Sequence, residues 1–422
     1  MRVFAIDRRI LPPGLLVLTF ASATFGADPS SQPTSDPVTA PAPAFSGITD
    51  GWFGYRSKLA DVGLNVTGFI DYDFSKNFHG GVSTADSAGR EIANLDFTLT
   101  SAEALGWNGG TFFLNFQDHE GENGTQKLTG DAQGFDNQDG PRAIQLYMAW
   151  YQQTLDDGKV RIKIGRVDAN TEFAFVSNGT AFLNSTFGFS PAIVGLPTYP
   201  DPGLSANLFW MPSEHLSLGA GVYDSNRTER SLIFSGEPYE LKPTTGGIFS
   251  IVEGDGKWSL VQANLPGRLG VGGYYHNGQF PRFDGAIQSG AGGMYAVFDQ
   301  TLWRPPGSID GGNTGIGVFA QGATGDANVN LIDWQSGSGL AWTGPIPTVA
   351  RAADILGIGA TYAHFSRHAD LSDDGELAIE LFYKIQITTW CDIQPDVQYI
   401  VHPGGDGKPD AVVGTVRVEI DF

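Results

Sequence analysis

Positive charge is scarce in this sequence. Its 25 Lys and Arg stand against 46 Asp and Glu, a formal net charge of −21 over 422 residues. Nucleic acid is excluded as a partner, because phosphate binding needs clustered Lys and Arg. Charge of either sign is sparse, at 17%. The acids read as solvated loop residues that keep the protein soluble or bridge divalent cations. One cysteine, Cys391, excludes an intramolecular disulfide. With no ligand partners near it in the sequence, it reads as a packed or lipid-facing thiol; no metal and no cofactor is expected. Past the N-terminus no run of roughly 20 apolar residues occurs, so a membrane-spanning helix is excluded there. Entry into a bilayer would therefore require strands closed into a barrel, which satisfies every backbone polar group internally.

What the chain does have is glycine, 57 residues, and aromatics at 12%. That mixture suits a β-protein with many turns. Residues 1–26 read as an export signal: Arg2, Arg8 and Arg9 precede the apolar run "ILPPGLLVLTF", and cleavage follows Ala23 or Gly26. Residues 27–46, with "DPSSQPTSDPVTAPAPA", carry too much proline and too few large apolar groups to pack, and read as a disordered spacer. One domain then spans 47–422.

Within that domain one pattern recurs. In the terminal "VVGTVRVEIDF", Val412, Gly414, Val416, Val418, Ile420 and Phe422 share one parity, while Thr415, Arg417, Glu419 and Asp421 share the other. Successive strand residues point to opposite faces, so one face is apolar and the other charged. "LNVTGFIDYDF", "NLDFTLT", "VRIKIG" and "ELAIELFYKIQIT" repeat it, and "TFFLNFQ", "GGIFSIVE", "KWSLVQA", "TGIGVFAQ" and "ILGIGATYA" are among further candidates. The total is about sixteen strands of a length that crosses a bilayer when tilted. Some connections are short, such as "LDDGK" and "PSEH"; others are long, such as Asn170 to Leu204 and Gly322 to Asp354. Short turns at one end and long loops at the other define an all-β fold, a transmembrane antiparallel β-barrel with periplasmic turns and extracellular or inward-folded loops. Trp150, Tyr151, Trp210, Tyr274, Tyr275, Trp303 and Trp390 at strand ends fit girdles at the two water interfaces. The competing architecture is an exported β-sandwich that binds sugars, whose strands alternate in the same way.

Several blocks in order have the wording of a known family. "GWFGYRSKLADVGLNVTGFIDYD", "IGRVDANTEF", "AFLNSTFG", "LPGRLGVGGYYHNGQF", "GNTGIGVFAQ" and "LFYKIQITTWCDIQPDVQYIVHPGG" cover the chain from about residue 47 to its end. Together they resemble the carbohydrate-selective porins of the OprB family. Tyr274 departs from the family pattern, standing where tryptophan is expected, as does Asn277 where threonine is commoner. The resemblance implies an outer-membrane channel for passive diffusion of small sugars, glucose-like monosaccharides, into the periplasm. A general diffusion porin without sugar preference is the alternative, and no enzymatic activity is implied. Outer-membrane lipid and lipopolysaccharide are the implied surroundings, and monomers and homotrimers are both compatible with the family. Phe422, as a terminal Phe, is implied to be read by the outer-membrane assembly machinery.

A barrel of this size leaves an aqueous lumen that inward-folded loops must narrow. The stretch from Asn170 to Leu204 is the natural constriction, after the basic strand "RIKIGR", whose parity breaks at Gly165 and re-aims Arg166 as a bulge would. Candidate pore-lining residues are Arg161, Lys163, Arg166, Asp168, Asn170, Glu172 and Asn184, with Phe182 and Phe187 as stacking surfaces. Arg417 and Glu419 are expected on the lumen wall. An alternative for Asp168, Asn170 and Glu172 is that they hold a turn through bonds to backbone amides.

Overall fold

Alternation continues round a closed ring. The computed structural model of the protein describes residues 47–49, 51–225, 233–236, 246–260, 265–305, 314–346, 348 and 351–422. The proposed export signal and spacer lie outside these residues. Among them, seventeen strands form one antiparallel sheet. In chain order they are β1 (Leu64–His79), β2 (Ser87–Thr100), β3 (Gly110–Gly121), β4 (Ala143–Leu155), β5 (Val160–Val167), β6 (Gly203–Ser213), β7 (Leu216–Asp224), β8 (Ile233–Gly236) and β9 (Ile248–Leu260). Then follow β10 (Leu265–Pro281), β11 (Ile287–Trp303), β12 (Gly315–Thr324), β13 (Ile332–Thr343), β14 (Ile355–Phe365), β15 (Gly375–Thr388), β16 (Cys391–Val401) and β17 (Ala411–Asp421).

The short β8 lies beside the loop end of β4. β7 pairs directly with β9, and the other sixteen strands close when β1 pairs with β17 from Phe69↔Asp421 to His79↔Val412. Past the last strand residue, the Phe422 amide still donates to the Gly68 carbonyl at 2.9 Å. Among the described residues, closure leaves none of those sixteen strands with a free edge, which is what lets a sheet stand in lipid.

The parities fall as read from the sequence. On β17 Val413, Thr415 and Arg417 are buried inward while Val416 is exposed outward; on β5 Ile162 and Ile164 face out and Arg161 and Lys163 face in. An apolar outer face meets hydrocarbon and the polar face meets the lumen.

The strand inventory differs from expectation in two compensating places. "GGIFSIVE" and "KWSLVQA" are one strand, β9: the intervening Gly254-Asp255-Gly256 looks like a turn, but Asp255 points inward to Arg268 at 2.7 Å. The expected long loop from Gly322 to Asp354 contains β13. Its outward positions include Ser336 and Ser338 and its inward ones Gly337 and Gly339, so hydrophobic alternation is absent over its middle. Two of the expected girdle aromatics also point inward. Trp150 stacks on Phe113 in the lumen, and Tyr274 is buried against the constricting loop.

Connections at the turn end are mostly tight, as in 156–159, where Asp156 and Asp157 take φ of 51° and 50° and Gly158 takes 90°. The connections 304–314 and 344–354 at that end are longer. At the opposite end two loops fold inward, 122–142 and 168–202. The three buried apolar clusters all involve this loop chain, so the core of the molecule sits inside its own lumen.

Candidate functional site: the loop across the lumen

Loop 168–202 leaves β5 just past Gly165, where β5 stays in register with β4 and β6, so the bulge expected there is not formed. Gly165 has φ of 132°, and a Cβ there would overlap the Ala149 carbonyl, so only glycine fits. Arg166 follows and is buried, its Nε donating to the Tyr147 carbonyl at 3.0 Å and its Nη2 lying 3.4 Å from Asp201 Oδ1. The re-aiming expected at Gly165 therefore ties the start of the loop to its return.

The first loop turn is organised by Asp168. Its Oδ1 accepts the Asn170 amide at 2.8 Å and its Oδ2 the Tyr147 hydroxyl at 2.5 Å. Burial pushes this carboxyl above its ordinary value even though both bonds pull it down. Asn170 donates from Nδ2 to the carbonyls of Phe173 and Ala174, each at 3.3 Å. Both residues thus hold the turn.

Glu172 reaches back to the β5 wall. Its Oε2 meets Arg161 Nη1 at 2.7 Å, and its Oε1 takes a bond from Lys163 Nζ. Burial alone would raise the Glu172 carboxyl, but Lys163 and Arg161 outweigh it and hold it below the ordinary range. The two cations also rest on rings, Arg161 over Phe209 and Lys163 over Trp150, each at 3.9 Å. Two cations and one anion leave this corner of the lumen with one excess positive charge.

Farther along, wall carboxylates clasp the loop backbone. Asp299 of β11 accepts the consecutive amides of Ser177 and Asn178 at 3.1 and 2.8 Å. Glu380 of β15 accepts those of Leu183 and Asn184 at 2.6 and 2.9 Å. Glu253 of β9 accepts the Ala174 amide at 2.8 Å while its other oxygen meets Arg268 at 2.7 Å. Glu376 does the same for the neighbouring loop, taking the amides of Ala132 and Gln133 at 2.8 and 3.0 Å. Bonds of this charged kind contribute about 1.5–3 kcal/mol each, several times a solvent-exposed ion pair. These four carboxylates were not singled out from the sequence. Their inward strand parity, already plain for Glu376 and Glu380, was the available signal.

Phe182 and Phe187, expected as stacking surfaces, are 2% and 0% exposed. They pack on Phe319 and Phe382 of the wall, with Phe182–Phe187 centroids 4.5 Å apart. The wall makes room with glycine: a Cβ on Gly359 would lie 2.8 Å from both rings. These rings are therefore anchors, closed to a solute. Asn184 is buried as well, accepting the Thr186 amide at 3.0 Å and donating to Gln398 at 3.1 Å. Tyr274, from β10, donates to the Ala192 carbonyl at 2.8 Å and accepts the Val194 amide at 3.1 Å, pinning the far arm.

On the opposite wall Arg417 grips Asp73 through two bonds of 2.8 and 2.6 Å and bonds Asn137 of loop 122–142 at 2.7 Å. Glu419 pairs with Lys384, which also approaches Asp392 at 3.3 Å. Arg417 is thus a buried loop anchor. Glu419 stands partly open on the lumen wall near the turn end.

A closed barrel, greasy outside and polar within, with a loop fastened across its lumen, defines an outer-membrane porin. The model of the carbohydrate-selective porin OprB family matches residues 85–422. This chain belongs to that family. Porin B of Pseudomonas aeruginosa is 23% identical over 434 aligned residues, covering 88% of this chain and 90% of that protein. The high-pH structure of Pseudomonas putida OprB superposes with a TM-score of 0.79 at 21% identity, over 89% of this chain and 98% of that one. The low-pH structure of the same protein gives 0.58 at 19% identity with the same coverage. The protein is accordingly a sugar-selective channel and a multi-pass barrel of the outer membrane, not an enzyme.

Proposed function

We propose that the channel passes small neutral monosaccharides, glucose-like in size, down their gradient into the periplasm. The observation that carries this reading is the fastening of loop 168–202 at Glu253, Asp299 and Glu380, on strands spread across half the ring. A loop held at several points cannot swing aside for a large solute, so the gap beside it sets a fixed size limit. The corner of Arg161, Lys163 and Glu172 supplies a field beside that gap, and Glu419 tunes it at the turn end.

Reaching that membrane is assigned to the segment before residue 27 as an export signal. Recognition of the finished chain by the assembly machinery is assigned to Phe422. The deciding measurement is conductance in planar bilayers with glucose added at millimolar concentration. A concentration-dependent drop is expected. An unchanged conductance would instead assign a general diffusion channel.

A further inference from the structure

The inner wall changes character toward the turn end. On β2 the inward Arg90, Ile92 and Asn94 are buried, whereas the inward Asp96, Thr98 and Thr100 are partly exposed. On β4 the inward Gln145 is buried, whereas Trp150, Gln152 and Thr154 are partly exposed. β13 makes the same step between Gln335 and Ala341. The folded loops fill the upper lumen, and the turn end is left as a vestibule whose side chains a solute can touch.

One patch of that vestibule sets a flat ring beside unspent polar groups. Phe113 of β3 and Trp150 of β4 pair across their strands, with centroids 4.9 Å and planes 22° apart. The other face of Trp150 is covered by Lys163 Nζ, 3.9 Å from the ring centroid. Phe113 meets no second ring and no cation among the described residues. Its open side is toward β2, where the residue directly across is Thr98, too short to cover a ring. In this lumen Phe182, Phe187, Phe319 and Phe382 bury their faces against one another. A ring that keeps one face to water is the exception, and an exposed apolar surface among polar neighbours marks a place for a ligand.

The neighbours of that open face are polar and available. Asn65 of β1 lies across from Thr98, and Asp96 stands one inward rung nearer the loops. The side chains of Asn65 and Thr98 make no hydrogen bond to any described residue. Asp96 Oδ1 accepts from Asn115 Nδ2 at 2.5 Å, while Oδ2 has no protein donor among the described residues and is open to solvent. No cation pairs with this carboxylate among those residues. An amide, a hydroxyl and a carboxylate oxygen together offer both donors and acceptors. A pyranose needs that mixture, because its rim hydroxyls do both and its C–H face is apolar. An unpaired carboxylate also repels carboxylate and phosphate solutes.

We propose that Asn65, Asp96, Thr98 and Phe113 form a sugar subsite in the turn-end vestibule, beyond the loop 168–202 constriction. A neutral hexose lies with its C–H face on Phe113 and gives hydroxyl bonds to Asp96 Oδ2 and Asn65. The inference rests on the sugar-channel reading. A bound hexose fills part of the water path, so its occupancy reads as block of planar-bilayer conductance by D-glucose. The test compares the parent with Phe113→Leu, which loses the flat face, Phe113→Tyr, which keeps it, and Asn65→Ala, which breaks no internal side-chain bond. Unchanged conductance in salt alone and unchanged heat-resistant mobility in detergent gels show that each variant keeps its loops and barrel. The glucose concentration giving half-block is expected to rise about two- to tenfold in Phe113→Leu and in Asn65→Ala. Phe113→Tyr should block like the parent. Parent-like block in either Phe113→Leu or Asn65→Ala overturns the subsite while the channel reading stands. A parent channel indifferent to glucose overturns both.

Discussion

Glu380, on the inner face of β15, accepts hydrogen bonds from the successive backbone amides of Leu183 and Asn184, at 2.6 and 2.9 Å. One carboxylate thereby fixes a loop residue some two hundred positions earlier in the chain, using both of its oxygens. Replacing it by glutamine keeps the shape, but one oxygen becomes an NH2 group facing an amide N–H. Glu380→Gln is expected to release this part of the loop, costing about 1.5–3 kcal/mol of docking for each charged bond lost. Single-channel recordings should show larger and noisier openings. Parent-like traces would mean that the clasp does not govern the loop.

Glu172 provides a pH dependence with a definite sign. Its carboxyl is held below its ordinary value of 4.5, so it contributes to docking fully above that value. The contribution is lost as pH falls through the lower docked-state value. The constriction should be insensitive to this group from neutral pH to about 5 and loosen only in more acid solution. Glu172→Gln removes the anion at every pH and leaves Arg161 and Lys163 unbalanced, shifting the reversal potential in a salt gradient toward anions. A variant with the parent's selectivity would show that this corner lies off the ion path.

Gly359 tests the anchoring of the aromatic pair. A side chain there meets Phe182 and Phe187 at 2.8 Å, and neither ring has room to retreat. Gly359→Val is therefore expected to displace the loop and raise conductance. Phe182→Ala, which leaves a cavity worth about 3–5 kcal/mol, should do the same through loss of packing rather than by collision. Chymotrypsin cleavage of folded protein in detergent reads both outcomes, with cuts after loop residues such as Phe173, Phe175 and Phe189 appearing only where the loop has come loose.

Arg417 lies between Asp73 and loop 122–142 with very little solvent contact. Arg417→Met leaves Asp73 buried without its guanidinium, a change that costs about 3–5 kcal/mol when one partner of a buried pair is removed. The temperature at which the barrel loses its compact gel mobility should fall. Double substitution with Asp73→Asn should recover much of the loss, since the stranded charge is then gone.

The barrel was legible because lipid outside and water inside force a period-two pattern onto strand after strand. It became illegible where that rule relaxes. At β13 serines alternate with glycines between two tryptophans, and at Gly254-Asp255-Gly256 a turn-like triplet continues a strand because Asp255 has Arg268 to meet. The loop was located by its length and by its place after the basic strand. Its chemistry was harder to read, because a residue's role depended on partners remote in sequence. Glu172 reaches β5 nearby, but Phe182 disappears into Phe319 and Phe382 on strands that only the closed ring brings together. Tyr274 looked like an interfacial aromatic and is instead a hydrogen-bonding post for Ala192 and Val194.

The bond from the Phe422 amide to the Gly68 carbonyl joins the final residue to the opening strand. β1 therefore keeps one edge bare until β17 comes to lie beside it, in whatever order the strands between them pair. A product cut short by a single hairpin would have no mate for that edge, and no partial ring would be sealed against hydrocarbon. The tube is thus sealed at a single seam, where its first strand meets its last-described one.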